Sequence, residues 1–280
     1  MKSTSIIAAI ERIQTTIAEH VTARHYKEHP ELLECHGEQG KKRTYEDSLY
    51  NLSFLSQAIA VKNPQLFLDY LGWLKVVLFR RKVQLQTMMD HFEYLKAALK
   101  ENLESEHADV ACSYLDEALK RLPELPDEIP SFMDGESKLS LLSHQYLQAL
   151  LRGDRKTASG LVLEAVEKGT SVKDIYLNVF QTCQYEIGRL WQTNEISVAQ
   201  EHYCTAATQL IMSQLYPHIF STEKIGLTLV ATCVSGNLHE LGSEWLLIFL
   251  SWTGGTPIIL EPTHLTKAYW RPSQKTGPTY

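Results

Sequence analysis

The stretch "QYEIGRLWQTNEISVAQEHYCTAATQLIMSQLY", Gln184–Tyr216, decides how the second half of this 280-residue chain is read. It is two helices and a tight turn. Ile175, Val179, Cys183 and Ile187 recur at helical spacing, so one apolar face runs up to Trp191 and Gln192. "TNEI" breaks the pattern. Ser197 followed by Gln200 then has the S-x-x-Q form of a capping box, which starts a new helix. Trp191 therefore falls in the last turn of one helix, and Glu201 and His202 early in the next. A short connection brings those two ends to the same rim of a bundle.

The flanking sequence extends the bundle. "LSLLSHQYLQALLRGD" ends at Gly153, Asp154 is placed to cap the following helix, and "RKTASGLVLEAVEKG" stops at Gly169. Residues 137–222 read as a four-helix bundle. Ahead of them, 123–136 is rich in proline and acids and has no period, the signature of a linker. Residues 1–122 read as an N-terminal helical bundle. Ile6, Ile10, Ile13, Ile17 and Val21 form one stripe, and Leu49, Leu52, Leu55 and Ile59 a second. Asn63–Pro64 opens a third, running through Phe67, Leu71, Leu74 and Leu78 and on to Leu85, Met89, Phe92 and Leu99. After residue 222 the pattern changes type. "IGLTLVATCV" has the length and β-branching of a strand, "SEWLLIFLSW" reads as a helix, and "GGTPIIL" as a turn and second strand. Residues 223–262 thus form a short, incomplete α/β segment with parallel strands, and 263–280 an irregular tail. The fold class is mainly α.

Composition narrows the function. A net charge of −6 and the lack of any dense Lys/Arg run argue against nucleic-acid binding. "GKKR" and "RRK" are short and flanked by acidic or apolar residues. Glu11 and Arg12 interrupt the first apolar turns, so no signal peptide is expected, and no uncharged apolar run reaches the roughly 18 residues of a membrane span. The five cysteines are odd in number and show no C-x-x-C spacing. That predicts reduced thiols and a cytoplasmic protein. His36, His91 and His107 read as surface or core residues.

Residues 137–262 resemble a known family. The four-helix segment is similar to the helical cap of cobalamin-binding proteins, and "NLHELG", Asn237–Gly242, to the start of their flavodoxin-like domain. A Trp followed ten residues later by Glu–His resembles the light-responsive adenosylcobalamin sensors of the CarH type. The resemblance implies adenosylcobalamin as cofactor, with His239 as the axial cobalt ligand, the metal-binding residue. Gly242 would let the backbone approach the corrin, and Trp191 would cover the adenosyl group. Glu201 would accept hydrogen bonds from the ribose, and His202 would contact the group that leaves in light. A neutral imidazole suits an axial cobalt position.

Three departures accompany the match. Asn237 stands where the family has an acid that orients the axial His, and Gln192 stands where some relatives have a histidine. The α/β segment stops after two strands, so the resemblance predicts a shortened relative or one completed by a partner. No helix-turn-helix is recognisable in residues 1–122. The expectation is a cobalamin-binding sensor and not an enzyme, acting through a protein partner, with a bilin as an additional chromophore and a homo-oligomer left open. Two rivals are a corrinoid carrier subunit of a methyltransferase and a degenerate, cofactor-free interaction protein. Taken singly, the same residues have blander readings: Trp191 as core, Glu201 as a favourable helix-start acid, His239 as a loop histidine.

Overall fold

The computed structural model describes residues 2–135, 138–219, 223, 225–232, 241–252, 254 and 256–260. The protein is mainly α and divides into two compact units at Pro130–Ser131, with Gln192–Asn194 grouped with the first.

The first unit is built from α1 (Lys2–Glu28), α2 (Glu31–Ala60), α3 (Pro64–Arg80), α4 (Leu85–Asn102) and α5 (Ser105–Arg121). The stripes legible in the sequence meet in one core: Ile10, Ile17, Leu52, Leu55, Phe67, Leu71, Phe92 and Leu99 are all buried. Asn63 caps α3, its side chain accepting from the Gln65 N–H at 3.1 Å with Pro64 at the first helical position. Two local features differ from the periodic reading. The polar stretch after His29 is helical from Glu31 onward and is kinked at Gly37, whose φ of 61° lies in the left-handed region that glycine tolerates. The stripe from Phe67 to Leu99 is two helices, parted at Arg81–Gln84. There the N–H groups of Arg81 and Val83 both return to the Leu78 carbonyl, and Lys82 adopts φ 65°.

The second unit contains α6 (Ser140–Leu151), α7 (Arg155–Glu167), α8 (Val172–Ile175), a π-turn at Tyr176–Phe180, α9 (Gln181–Gln192) and α10 (Val198–Gln214). Gly153, at φ 75°, ends the first of these helices, and the Asp154 carboxylate accepts from the Thr157 N–H at 3.0 Å to start the second. The π-turn was not legible as a break. Within it, the Asn178 carbonyl accepts the Ser143 hydroxyl at 2.8 Å. Strand β1 (Thr228–Thr232) and β2 (Thr256–Leu260) pair in parallel, Val230 opposite Ile258, with α11 (Leu241–Trp252) between them in sequence. Leu241 and Ile248 of α11 belong to the same buried core as Tyr146, Val179, Cys183 and Ile211 of the bundle. No helix among the described residues is long and apolar enough to cross a membrane.

Candidate functional site

The end of α9 and the start of α10 are held by backbone and side-chain bonds that require no ligand. The N–H groups of Glu195 and Ile196 return to the Leu190 carbonyl at 2.8 and 3.3 Å and close the turn. The capping box is formed in both directions. The Gln200 N–H donates to Ser197 Oγ at 3.3 Å, and the Ser197 N–H donates to Gln200 Oε1 at 3.0 Å. Trp191 is half-buried in the last turn of α9. Across the turn, Glu201 and His202 are in direct contact through Oε2 and Nδ1, their side chains 14% and 48% exposed. A carboxylate in the first turn of a helix is favoured by the positive end of the helix dipole.

Glu201 is also the outermost member of a polar chain that enters the bundle. The Thr205 hydroxyl reaches Glu201 Oε1 and Gln184 Oε1, each at 3.3 Å. Gln184 Nε2 donates to Thr208 Oγ1 at 2.8 Å, and the buried Tyr146 hydroxyl lies 2.9 Å from the same oxygen. The sequence reading missed this chain, although Thr208 sits in the otherwise apolar stripe Cys204, Thr208, Ile211 and so offered a signal.

A buried ion pair stiffens the same helix. Glu186 accepts from Arg189 at 2.7 Å and from the Phe132 N–H at 2.9 Å, and Arg189 also reaches Glu195 at 3.2 Å. Burial alone would raise the Glu186 carboxyl, but Arg189 and the Phe132 N–H outweigh it and hold it below its ordinary value.

Gly242 is exposed in the first turn of α11, and nothing lies within 4 Å of the position a Cβ would take. Asn237 and His239, the candidate orienting residue and cobalt ligand, lie outside the described residues. Cys183 and Cys204 are buried, which pushes their thiols up to about 12 and about 11, so they stay protonated near neutrality and serve packing. Among the described residues no group of three or more His, Cys, Asp or Glu could hold a metal ion.

A helical module with an indole at one helix end and an oriented carboxylate at the next has a match among protein families. Residues 142–216 match the model of the B12 binding domain. The matched segment runs from α6 through α10 and includes Trp191, Glu201 and His202. Comparison of the chain with curated proteins gives no match.

The first unit holds a cavity of about 480 Å³, lined among others by His25, Arg43, Asp47, Arg81 and His91. His25 Nδ1 is buried there with no hydrogen-bond partner, a position that ordinarily calls for one. His91 Nε2 is engaged by Asn51 at 3.2 Å and Ser48 at 3.4 Å. Burial, reinforced by His29, lowers His25 to about 4, and burial lowers His91 to about 3, so both imidazoles are neutral near pH 7. None of the lining residues is a cysteine.

Proposed function

We propose that the second unit binds adenosylcobalamin and that the chain is a cytoplasmic sensor of light or of the cofactor, signalling through a protein partner. One observation carries this reading: within the B12-binding segment, a half-buried indole and a carboxylate fixed by Thr205 flank the same turn. The residues present fit the group. Trp191 supplies a flat apolar surface for an adenine, and Glu201 supplies acceptors for ribose hydroxyls, with His202 beside it. Gly242 leaves open the space a side chain would fill on a corrin's approach. In this reading His239 would hold the cobalt, and Asn237 would take the place of the residue that orients its imidazole. When bound, the cofactor supplies a cobalt–carbon bond that light breaks.

Titration with adenosyl- and methylcobalamin in darkness tests the proposal. Wild-type protein is expected to prefer the adenosyl form, and Trp191→Ala to lose that preference while remaining folded. A preference for methylcobalamin would favour a corrinoid carrier instead. Absence of corrin binding would leave a cofactor-free interaction protein.

A second chromophore, an open-chain tetrapyrrole of the bilin class, is proposed for the first unit on a separate observation. The cavity of about 480 Å³ combines the unpartnered His25 imidazole with the Arg43 and Arg81 guanidiniums, which suit carboxylate side arms. With no thiol in its lining, the cavity would bind without a covalent bond. Biliverdin is expected to give a saturable red-shifted band that His25→Ala displaces. No saturable binding would remove the bilin and leave the cobalamin reading untouched.

A further inference from the structure

Tyr70 of α3, Asn51 of α2 and His91 of α4 form a buried polar chain beside the cavity of the first unit. The Tyr70 hydroxyl donates to Asn51 Oδ1 at 2.7 Å, and Asn51 Nδ2 lies 3.2 Å from His91 Nε2. The phenol decides which end of the amide faces which partner. Burial pushes Tyr70 up, so it keeps its proton, and Asn51 Oδ1 is its acceptor among the described residues. Turning the amide over would leave that proton buried without an acceptor. An amide nitrogen only donates, so His91 Nε2 accepts from it. Ser48 pulls the other way. It gives its proton to the Thr44 carbonyl at 2.7 Å and turns a lone pair toward Nε2, but at 3.4 Å, so the amide prevails. Burial lowers His91 to about 3, so near pH 7 the ring is neutral and carries one N–H. That N–H is on Nδ1.

Among the described residues no hydrogen bond engages His91 Nδ1, and His91 lines the cavity of about 480 Å³. His25 lines the same cavity, its ring centre 5.3 Å from that of His91, and its own buried Nδ1 has no partner either. Two adjacent imidazoles thus lack partners where buried polar groups ordinarily have them. We propose that His91 is the cavity's fixed hydrogen-bond donor, with Tyr70 and Asn51 as the positioning residues that hold it in the Nδ1–H form. The cavity then selects a ligand that brings a carbonyl oxygen to this N–H, since a lone pair in its place would repel one. This rests on the bilin reading above and deepens it: a bilin carries lactam carbonyls besides the carboxylate arms that suit Arg43 and Arg81. No covalent bond is made or broken.

NMR shifts of the ring nitrogens separate a protonated nitrogen from a bare one, and His91→Gln assigns the His91 signals by their loss. In the ligand-free protein near pH 7, Nδ1 is expected to be protonated and Nε2 bare; the reverse overturns the proposal. Tyr70→Phe combined with Asn51→Leu removes both ends of the Tyr70–Asn51 hydrogen bond, so neither partner is left unmet. With Ser48 as the remaining neighbour, the His91 proton is expected to move to Nε2. Biliverdin should then bind about three- to tenfold more weakly, the scale of one net hydrogen bond. Tyr70→Phe alone, which keeps the Asn51 side chain but frees its amide to turn, should give a mixture of tautomers and a smaller loss. A proton that stays on Nδ1 in the double variant overturns the roles of Tyr70 and Asn51. Biliverdin that binds wild-type protein without shifting the Nδ1 signal overturns the contact, as does a tautomer change that leaves affinity unaltered. If wild-type protein binds no biliverdin, the bilin reading fails and the choice of ligand falls with it, whereas the ligand-free ring shifts still decide the state of His91.

Discussion

Trp245 of α11 donates its indole N–H to the sulfur of Met212 on α10 at 3.3 Å, and its ring centre lies 6.0 Å from that of Tyr176. Two strands and a helix make too small a sheet to stand alone in water. This contact, with Gln209 donating to Glu244 at 3.1 Å, ties them to the helical bundle.

Trp245→Ala is accordingly expected to lower the stability of the second unit by about 2–4 kcal/mol, near the lower end of aromatic truncations because the ring is only half-buried. Loss should appear as a lower denaturant midpoint by circular dichroism. A midpoint unchanged from wild type would show that α11 contributes little to the bundle.

Acid should act on Glu186. Its carboxyl is held below its ordinary value of 4.5, so the stability it contributes is complete above that pH and is lost as pH falls through the folded value. Glu186→Gln is expected to destabilise the protein at pH 7 by about 2–4 kcal/mol, since it removes the buried negative charge that Arg189 faces. The same variant should show a flatter acid limb in stability against pH. An acid limb identical to wild type would mean that other groups govern it.

In the first unit two groups act in opposite directions. Burial, with Glu46 adding to it, raises Asp47 from 3.8 to about 6, so a folded Asp47 holds a proton that the unfolded chain releases. It therefore favours folding as pH falls from 6 toward 4 and opposes it above 6. His25 is lowered from 6.5 to about 4, so acidification below 6.5 favours the unfolded chain. Asp47→Asn is predicted to raise stability at pH 7 by about 1–3 kcal/mol, a gain that shrinks toward pH 4. His25→Gln should flatten the loss between pH 6.5 and about 4. Urea midpoints across that range would check both, and an Asp47→Asn gain independent of pH would contradict the assignment.

What the sequence made legible was periodic or local. Ile10, Ile17, Leu52 and Phe67 could be read as core because burial repeats at helical spacing. Ser197 with Gln200 and Asn63 with Pro64 could be read as helix starts because capping needs only neighbours in sequence. Contacts between distant positions were not legible. The pairing of Gln184 with Thr205, and of Glu186 with the Phe132 N–H, depends on how distant segments meet. The kink at Gly37 falls in a polar stretch with no apolar pattern to interrupt, and the π-turn at Tyr176–Phe180 leaves no gap in the pattern around it, so neither announced itself. For the candidate site, the sequence offered Trp191, Glu201 and His202 as rim residues but not the polar chain behind them.

The capping box gives a more local check. Ser197→Ala removes the acceptor for the Gln200 N–H and is expected to cost about 1 kcal/mol. Because it loosens the start of α10, it should also weaken adenosylcobalamin more than methylcobalamin. Loss of stability with unchanged selectivity would separate the cap from the site.

The most direct test of the account is the absorbance spectrum of the wild-type protein after reconstitution with excess adenosylcobalamin in darkness and removal of free cofactor, taken beside that of His239→Ala. The account predicts a retained corrin spectrum in the wild type. It predicts weaker retention in His239→Ala, with a spectrum shifted toward the form lacking a histidine ligand. A wild-type protein that retains no corrin absorbance would contradict it.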